Sequence, residues 1–542
     1  MPPGLPPCVI HEDEHLLVVN KAAGWNTHAP SPYAGEGIYD WLRQREPRWA
    51  SLSILHRLDK ETSGVMVFGK TPLANRSLTE QFTRREVQKK YALLTDRKVT
   101  WHEFTAKSNI TRLGDRYASC RDGEPAETRF RLLECVNGRT WIESEPLTGR
   151  THQIRVHAAE NGFPILGDTL YGGTSAPRVC LHAVELAFKH PANGEALRFT
   201  VATDFESDTR RNLRAAVIDP TQTDAYRLIH GASDGWPGWY VERFGEFVLS
   251  QSEQPLNEEH RSLLGQLCGA TVSPMPAPPD GSSALRGGYH KTLIRQLRQT
   301  TAASASPQFV MGQMAPEHFA IIENGVRFQL SFNEGYSIGL FLDQRDNRRR
   351  FLTNHVAADF PLFADGPTGK EVLNTFAYTC GFSLCAAHAG SRVTSLDLSR
   401  KYLDWGRRNF VLNGIEATAH DFIYGDVFDW MRRLAKKGRG FDAIVLDPPT
   451  FSQSKESGVF RAEKDYGRLV VTALKLLRPM GVLLASTNAA TLRAEDFVAT
   501  VTEAIRETGR RVLQQHYVPQ PPDFPISREE PAYLKTLWLR VS

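Results

Sequence analysis

Cysteine is scarce in this chain: seven residues among 542 (Cys8, Cys120, Cys135, Cys180, Cys268, Cys380 and Cys385), an odd number with no CxxC pair. Neither a disulfide framework nor a zinc knuckle fits that spacing, so buried thiols are expected and no metal site. Long apolar runs are missing as well. No stretch approaches the roughly eighteen consecutive apolar residues of a membrane span, so no membrane partner is expected. An excess of one charge is also lacking, with 65 Lys and Arg against 61 Asp and Glu and a net charge of +4. That balance permits a nucleic-acid partner without requiring one. The first residues, MPPGLPPCVIHEDEH, hold no basic stretch leading into an apolar one, so a cytoplasmic location is expected rather than secretion. No internal repeat is visible, which makes the two halves of the chain different machines.

What is present is ordinary globular material, 41% hydrophobic and 23% charged, in a length that calls for two or three domains. From about residue 8 to 203 the pattern is strand-rich, with LLVVN (16 to 20), GVMVFGK (64 to 70) and TWIESEPL (140 to 147) broken by Gly and Pro. This predicts one α+β domain with a mainly antiparallel sheet over 1–204. A short helix is expected over 205 to 217, inside a linker of 205–224 that ends the first domain near Asp219-Pro220. Residues 225–334 read as a small α+β middle domain. Its SPMPAPPDGSS (273 to 283) and TTAASASP (300 to 307) stretches carry no periodicity. Residues 335–542 alternate: strand EVLNTFAYT, helix SLCAAHAG, strand RVTSLDLS, helix KYLDWGRRNFVLNG, strand FDAIVLDPP, helix RLVVTALKLLRPMG, strand VLLASTN. Such alternation predicts a doubly wound, Rossmann-like α/β domain. Local basic runs at Arg84-Arg85 to Lys89-Lys90, Arg348-Arg349-Arg350 and Arg432-Arg433 to Arg439 are candidate phosphate holders.

The segment His56-Arg57-Leu58-Asp59-Lys60-Glu61-Thr62-Ser63-Gly64 is a polar turn feeding a β-prone run, and it sets a carboxylate among cations. It matches every fixed position of the HRLDxxTSG signature, and residues 8 to 200 resemble the RluA-type pseudouridine synthases. The resemblance extends through VVNKAAG (18 to 24), KKYALL (89 to 94), LTGRTHQIRVH (147 to 157), ILGDTLYGG (165 to 173) and CLHA (180 to 183). Ala22 stands where that family usually has Pro. Uridine must lose its bond from ring nitrogen to sugar, rotate and rejoin through carbon, which calls for a carboxylate and a pocket that retains the free base. The resemblance implies that Asp59 is this carboxylate, as nucleophile or as base. It further implies that Arg155 pairs with Asp59 and favours its charged form, and that Tyr91 stacks on the extracted base. Arg57 would fill the gap left in the RNA. Arg150 and His152 are expected either to touch phosphate or to order their loop. His152, His157, His182 and His190 fit no zinc spacing, and the isomerisation needs no cofactor.

In the last domain Cys380-Gly381-Phe382-Ser383 follows the first strand, where backbone approaches a nucleotide-like ligand. Asp397 ends the second strand, suited to two ribose hydroxyls, and Asp426 sits near an adenine site. Asp447-Pro448-Pro449-Thr450-Phe451 closes the fourth strand, its prolines stiffening the chain beside a planar base on which Phe451 can stack. Residues 341 to 542 resemble the RlmI/RlmK-like group of large-subunit rRNA methyltransferases. The shared segments are LFLDQRDNR (340 to 348), NTFAYT (374 to 379), RRNFVLNG (407 to 414), DPPTFSQSK (447 to 455) and PDFPISREEPAYLKTLWL (522 to 539). The resemblance implies S-adenosyl-L-methionine as cofactor, bound by Asn374, Phe376, Tyr378, Thr379, Asp397, Asp426 and Asp447. It makes Asp447 catalytic and Phe451 an RNA contact. Cys380 replaces the family's usual Gly. Methylating carbon five of cytosine needs a thiolate beside the ring, yet the late strand reads Ser486-Thr487-Asn488-Ala489. Guanine N7 is therefore favoured over cytosine C5. RLIHGASDGWPGWYVERFGEFV (227 to 248) resembles the small domain preceding this core and reads as a hairpin. The expectation is a bifunctional RNA-modifying enzyme, acting on rRNA; the alternative is an RNA-binding ribosome-assembly factor with only the synthase active.

Overall fold

The structure, a computed structural model, describes residues 4–206, 208–269, 284–293, 305–335, 337–454 and 456–542. SPMPAPPDGSS and most of TTAASASP lie outside the described residues. The chain divides into two compact units: Met1–Ala29, Glu36–Leu42 and Ser51–Asp219 form the first, and Pro30–Gly35, Arg43–Ala50 and Pro220–Ser542 the second.

The first unit is built on an eleven-stranded, mainly antiparallel sheet. The expected strands form as Leu16–Lys21, Ser63–Gly69 and Arg139–Pro146. In the last, burial alternates residue by residue, the mark of a strand with one face on a core. All seven residues of Ser63–Gly69 are buried, as a central strand covered on both faces should be. Leu181–Lys189 lies between that strand and Gln88–Thr95, so Gly64, Ala183 and Tyr91 stand side by side across three strands. Gly64 has φ +120°, and a Cβ there would sit 2.3 Å from the Ala183 carbonyl oxygen. Only glycine permits that approach, and it brings the HRLD turn beside Tyr91. The helix Gln153–Glu160 is anchored through Val156, buried with Ile110 and Ala126. The helix expected at 205 to 217 forms over Thr209–Val217, capped by Asp208.

The second unit holds a five-stranded sheet from Ala225–His230 to Gln308–Gly312 and a seven-stranded sheet. Ala225–His230 and Trp239–Phe244 pair as the expected hairpin. Across the larger sheet the order is Asp421–Tyr424, Arg392–Asp397, Glu371–Thr375, Phe441–Leu446, Leu477–Thr487, Lys535–Val541, Val512–Val518. The first five are parallel and Lys535–Val541 runs antiparallel to both its neighbours. Successive strand residues enter different cores. Val372, Val393, Val445 and Leu484 pack with Phe351, Phe382, Leu403 and Phe410. Leu373, Leu396, Ile444 and Leu483 pack with Met431, Leu469 and Val501. A period of two with both faces covered is the doubly wound arrangement. Strand order reverses on either side of Glu371–Thr375, and ligands of such sheets lie outside the carboxyl ends at that point.

Two expected elements differ in extent. The strand read over EVLNTFAYT stops at Thr375, because Phe376 and Tyr378 turn to φ +53° and +50°. The helix read over RLVVTALKLLRPMG ends at Leu474, and Leu477 already opens the next strand.

Candidate active sites

In the first unit Asp59 lies in the irregular segment before Ser63–Gly69, with its side chain 24% exposed. Arg155, 3% exposed, places Nη1 3.6 Å from Asp59 Oδ2. The expected pair therefore exists, but it is not the main partnership of this guanidinium. Nε and Nη2 of Arg155 donate to Asp168 Oδ2 and Oδ1 at 2.7 and 2.8 Å, a fork that holds the side chain rigid. Glu61 Oε2 lies 3.4 Å from the same Nη1, and the guanidinium rests over the Tyr171 ring. Burial works against this charge, yet Asp168 holds the Arg155 proton more firmly than usual.

Tyr91, in the strand Gln88–Thr95, is buried, and burial together with the nearby Asp59 charge pushes its hydroxyl proton affinity upward. His152, at φ +56° before its helix, hydrogen-bonds Tyr171 through Nδ1 at 2.8 Å and sets Nε2 3.9 Å from Asp59 Oδ2. It joins the Asp59 cluster, and burial lowers its pKa. Arg150 instead orders its loop, pairing with Glu124 and donating to the Pro125 carbonyl at 3.2 Å. Arg57 is exposed. Sequence reasoning missed Asp168, Glu61, Tyr171 and Lys21, although Asp168 and Lys21 stand inside the quoted ILGDTLYGG and VVNKAAG segments. Lys21 is fully buried and its Nζ reaches the carbonyls of Ala22, Trp25 and Lys60 at 3.0, 2.7 and 3.3 Å. Burial pushes its amine down to about 7 against the pull of Asp59 and Glu61. Three acceptors match the three protons of an ammonium, so we read it as charged and as tying the KAAG loop to the turn that carries Asp59.

In the second unit the loop after Glu371–Thr375 has three bulky residues in the left-handed region: Phe376, Tyr378 and Cys380 at φ +53°, +50° and +64°. Cys380 is accommodated because Gly406 faces it: a Cβ at 406 would lie 2.4 Å from Cys380 Sγ. Several expected cofactor side chains are committed elsewhere. Asn374 Nδ2 donates to Ser383 Oγ at 2.9 Å, and Thr379 Oγ1 to the Gly339 carbonyl at 2.5 Å. The Tyr378 hydroxyl accepts from the Gly339 N–H at 2.8 Å, and the Phe376 ring packs toward Phe460. Both oxygens of Asp397 accept backbone N–H groups, from Tyr378 and Ser399, each at 2.8 Å. Burial still pushes its carboxyl upward. Asp426 caps the helix Val427–Lys436 and also accepts from Ser454 Oγ and Ser457 Oγ at 2.7 and 2.5 Å. Burial opposes its charge, but these hydrogen bonds win and hold the carboxyl below its usual range.

Asp447 follows the fourth strand directly and is half-buried, and Phe451, 44% exposed, opens the hairpin Phe451–Ser454 with Gly458–Arg461. Burial, then the charge of Asp343, raises the Asp447 carboxyl to about 7, opposed by hydrogen bonds from Ser486 and Gln344. No cysteine follows Cys385 in the sequence, and Cys380 and Cys385 are both buried in the first loop and helix, burial pushing the Cys380 thiol up to about 12. In the basic run at 348 to 350 the arginines are engaged within the protein: Arg348 forks onto buried Glu323 at 2.6 and 2.7 Å, Arg349 pairs with Glu46, and Arg350 donates to the Val356 and Asp346 carbonyls. Arg432 and Arg433 are exposed and pair with Asp429.

Residues 227–540 match the family model described as S-adenosylmethionine-dependent methyltransferase, and the chain belongs to that family. Residues 15–160 match the RNA pseudouridylate synthase model, so a pseudouridine synthase domain precedes the methyltransferase. Among curated proteins, the chain is 32% identical over 338 residues to "Ribosomal RNA large subunit methyltransferase" of Deinococcus radiodurans, covering 60% of this chain and 76% of that one. It is equally similar, 32% with the same coverage, to "Ribosomal RNA large subunit methyltransferase I" of Klebsiella pneumoniae. Among solved structures, one titled "A putative sam-dependent methyltransferase from Streptococcus mutans" is 25% identical with a TM-score of 0.50, over 66% of this chain and 88% of its own. A methyltransferase crystallised with SAH has a TM-score of 0.51 at 24% identity, over 71% of this chain and 98% of its own, and shares the fold. S-adenosylmethionine is the cofactor of this half. Among the described residues no helix is long and apolar enough to cross a membrane.

Proposed function

We propose that the chain is a bifunctional rRNA-modifying enzyme of the cytoplasm, isomerising a uridine with Asp59 and methylating a base, guanine N7, with S-adenosylmethionine. Residues 1–204 would form the synthase, 225–334 a small domain after the linker 205–224, and 335–542 the methyltransferase. The observation that carries the first activity is the placement of Asp59: partly exposed, with a buried guanidinium fixed by Asp168 holding Nη1 3.6 Å from it. An everted uridine brought there meets a carboxylate at its sugar carbon, the Tyr91 ring at its base, and the Arg155 guanidinium beside the carboxylate. Arg57, exposed on the same turn, would enter the space the uridine leaves. The bond from N1 to the sugar breaks, the base turns within the pocket, and carbon five takes over the sugar as its own proton departs.

In the second half the strained loop from Phe376 to Cys380 offers backbone to the cofactor, and Asp397 and Asp426 would hold its ribose and adenine. The residues fit: the loop lies at the carboxyl end of the first strand, where the sheet order reverses. When bound, the cofactor supplies an electrophilic methyl group. The chain's own task is then to align a ring nitrogen that already has a lone pair, with Asp447 accepting from the base and Phe451 stacking on it. The absence of any cysteine after Cys385 supports N7 of guanine over C5 of cytosine. Nucleoside mass spectrometry of rRNA from cells with and without the gene tests both activities together. Loss of one pseudouridine and one N7-methylguanosine is expected, and retention of every pseudouridine would sink the first assignment.

A second reading keeps only the synthase active, within an RNA-binding assembly factor. It is favoured by Asp426, whose oxygens are held by Ser454, Ser457 and the helix it caps. Calorimetry against S-adenosylmethionine decides between them: micromolar binding supports two activities, and no heat supports one.

A further inference from the structure

Asp447 sits on a buried polar network whose members come from the LFLDQRDNR segment, the late strand at Ser486 and the PDFPISREEPAYLKTLWL segment. Gln344 Nε2 donates to Asp447 Oδ2 at 3.2 Å and to Ser486 Oγ at 2.8 Å. Its own orientation is fixed, because Asn347 Nδ2 donates to Gln344 Oε1 at 2.7 Å. Asn347 in turn donates to Thr536 Oγ1 at 3.3 Å and accepts from Trp538 Nε1 at 3.0 Å, while Ser486 and Thr536 share a hydrogen bond of 3.1 Å. Gln344, Asn347, Ser486, Thr536 and Trp538 are all buried. The amide therefore spends both protons, one on Asp447 and one on the strand that follows it in the sheet.

We propose that Gln344 is the positioning residue that, through its hydrogen bond to Oδ2, fixes Asp447 toward the base to be methylated. The proposal rests on the reading of Asp447 as base-facing and deepens it. A hydrogen bond to the ionised form favours that form. Asp343, adjacent in sequence and held through Oδ2 by the Tyr533 hydroxyl at 2.9 Å, acts the other way, as one carboxylate near another. Burial acts most on the Asp447 carboxyl, followed by Asp343, Ser486, Arg348 and Gln344, and the Tyr466 hydroxyl in turn feels its charge. Gln344 shifts the balance toward a carboxylate that can accept at neutral pH.

The test uses the full chain with Gln344→Met, which keeps the length and loses the donor, and Gln344→Glu, which keeps the shape and adds a charge. Methyl transfer is followed from labelled S-adenosylmethionine to deproteinised rRNA from cells lacking the gene. The acid limb of kcat/KM should move up by about one pH unit in both variants. A loss of rate equal at every pH, with the limb unmoved, would overturn the proposal. A double-mutant cycle with Asp447→Asn, read in thermal midpoints, needs no activity. The Gln344→Met and Asp447→Asn shifts should be non-additive by several degrees near about pH 8.5, and less so near about pH 5.5 where the carboxyl is protonated. Additivity at both would also overturn it. Should Gln344→Met not fold, Gln344→Glu carries the same predictions. A methylated cytosine in the wild-type product would refute the guanine reading, and the cycle would still decide the role of Gln344.

Discussion

Arg155 is a cation with almost no water, so what happens to its counter-ion decides the first site. Asp168→Asn should remove the forked partner and leave a buried charge, lowering stability by about 3–5 kcal/mol in denaturant unfolding. Asp59→Ala touches a partly exposed group and should leave the unfolding midpoint nearly unchanged while abolishing pseudouridine formation in an rRNA assay. For Asp447 the folded pKa is raised to about 7 from 3.8. A carboxyl raised in this way contributes stability below the unfolded value that is lost as pH rises through the folded one. Asp447→Asn should therefore raise the thermal midpoint at about pH 8 and leave it nearly unchanged at about pH 4. At this scale the grouping of Asp59, Tyr91 and Arg155 was legible, because a nine-residue turn and two further motifs named them. Asn374 and Thr379 were not, since sequence cannot show that their polar atoms are already spent on Ser383 and Gly339. Asp168 was passed over for the opposite reason: its motif was read, but its partner lies thirteen residues away across a helix and a loop.

Among the elements, the first strand and its loop show why boundaries were harder than types. Burial alternation and strand-helix order marked the sheet, whereas the end of the strand depends on backbone angles at Phe376 and Tyr378 that no propensity reveals. The same loop supplies a packing test. Gly406→Ala would place a Cβ 2.4 Å from Cys380 Sγ, a clash between a helix and a strained loop. Overpacking there should cost about 1–3 kcal/mol and weaken S-adenosylmethionine binding in calorimetry. Cys380→Gly in the same molecule should restore both, since it removes the clashing sulfur.

For the whole molecule, two units with separate cores predict separable activities. Asp59→Ala should erase the pseudouridine mark and leave methylation intact, while Asp447→Ala should do the reverse, both read by nucleoside mass spectrometry of rRNA from complemented cells. Loss of both marks from either change would contradict independent sites. The middle of the chain was the least legible part. Its hairpin was visible through turn residues, but the Pro- and Ser-rich stretches carry no apolar period from which to read a fold.

The sharing of each central strand between two cores has a consequence for how this chain tolerates insertions and deletions. Removing one residue from Phe441–Leu446 would slide every following side chain to the opposite face, so Ile444 and Val445 would trade surroundings. Asp447 would then leave the crest of the sheet for one of its flanks, out of reach of Gln344. Length at that point is thus held as tightly as any catalytic group.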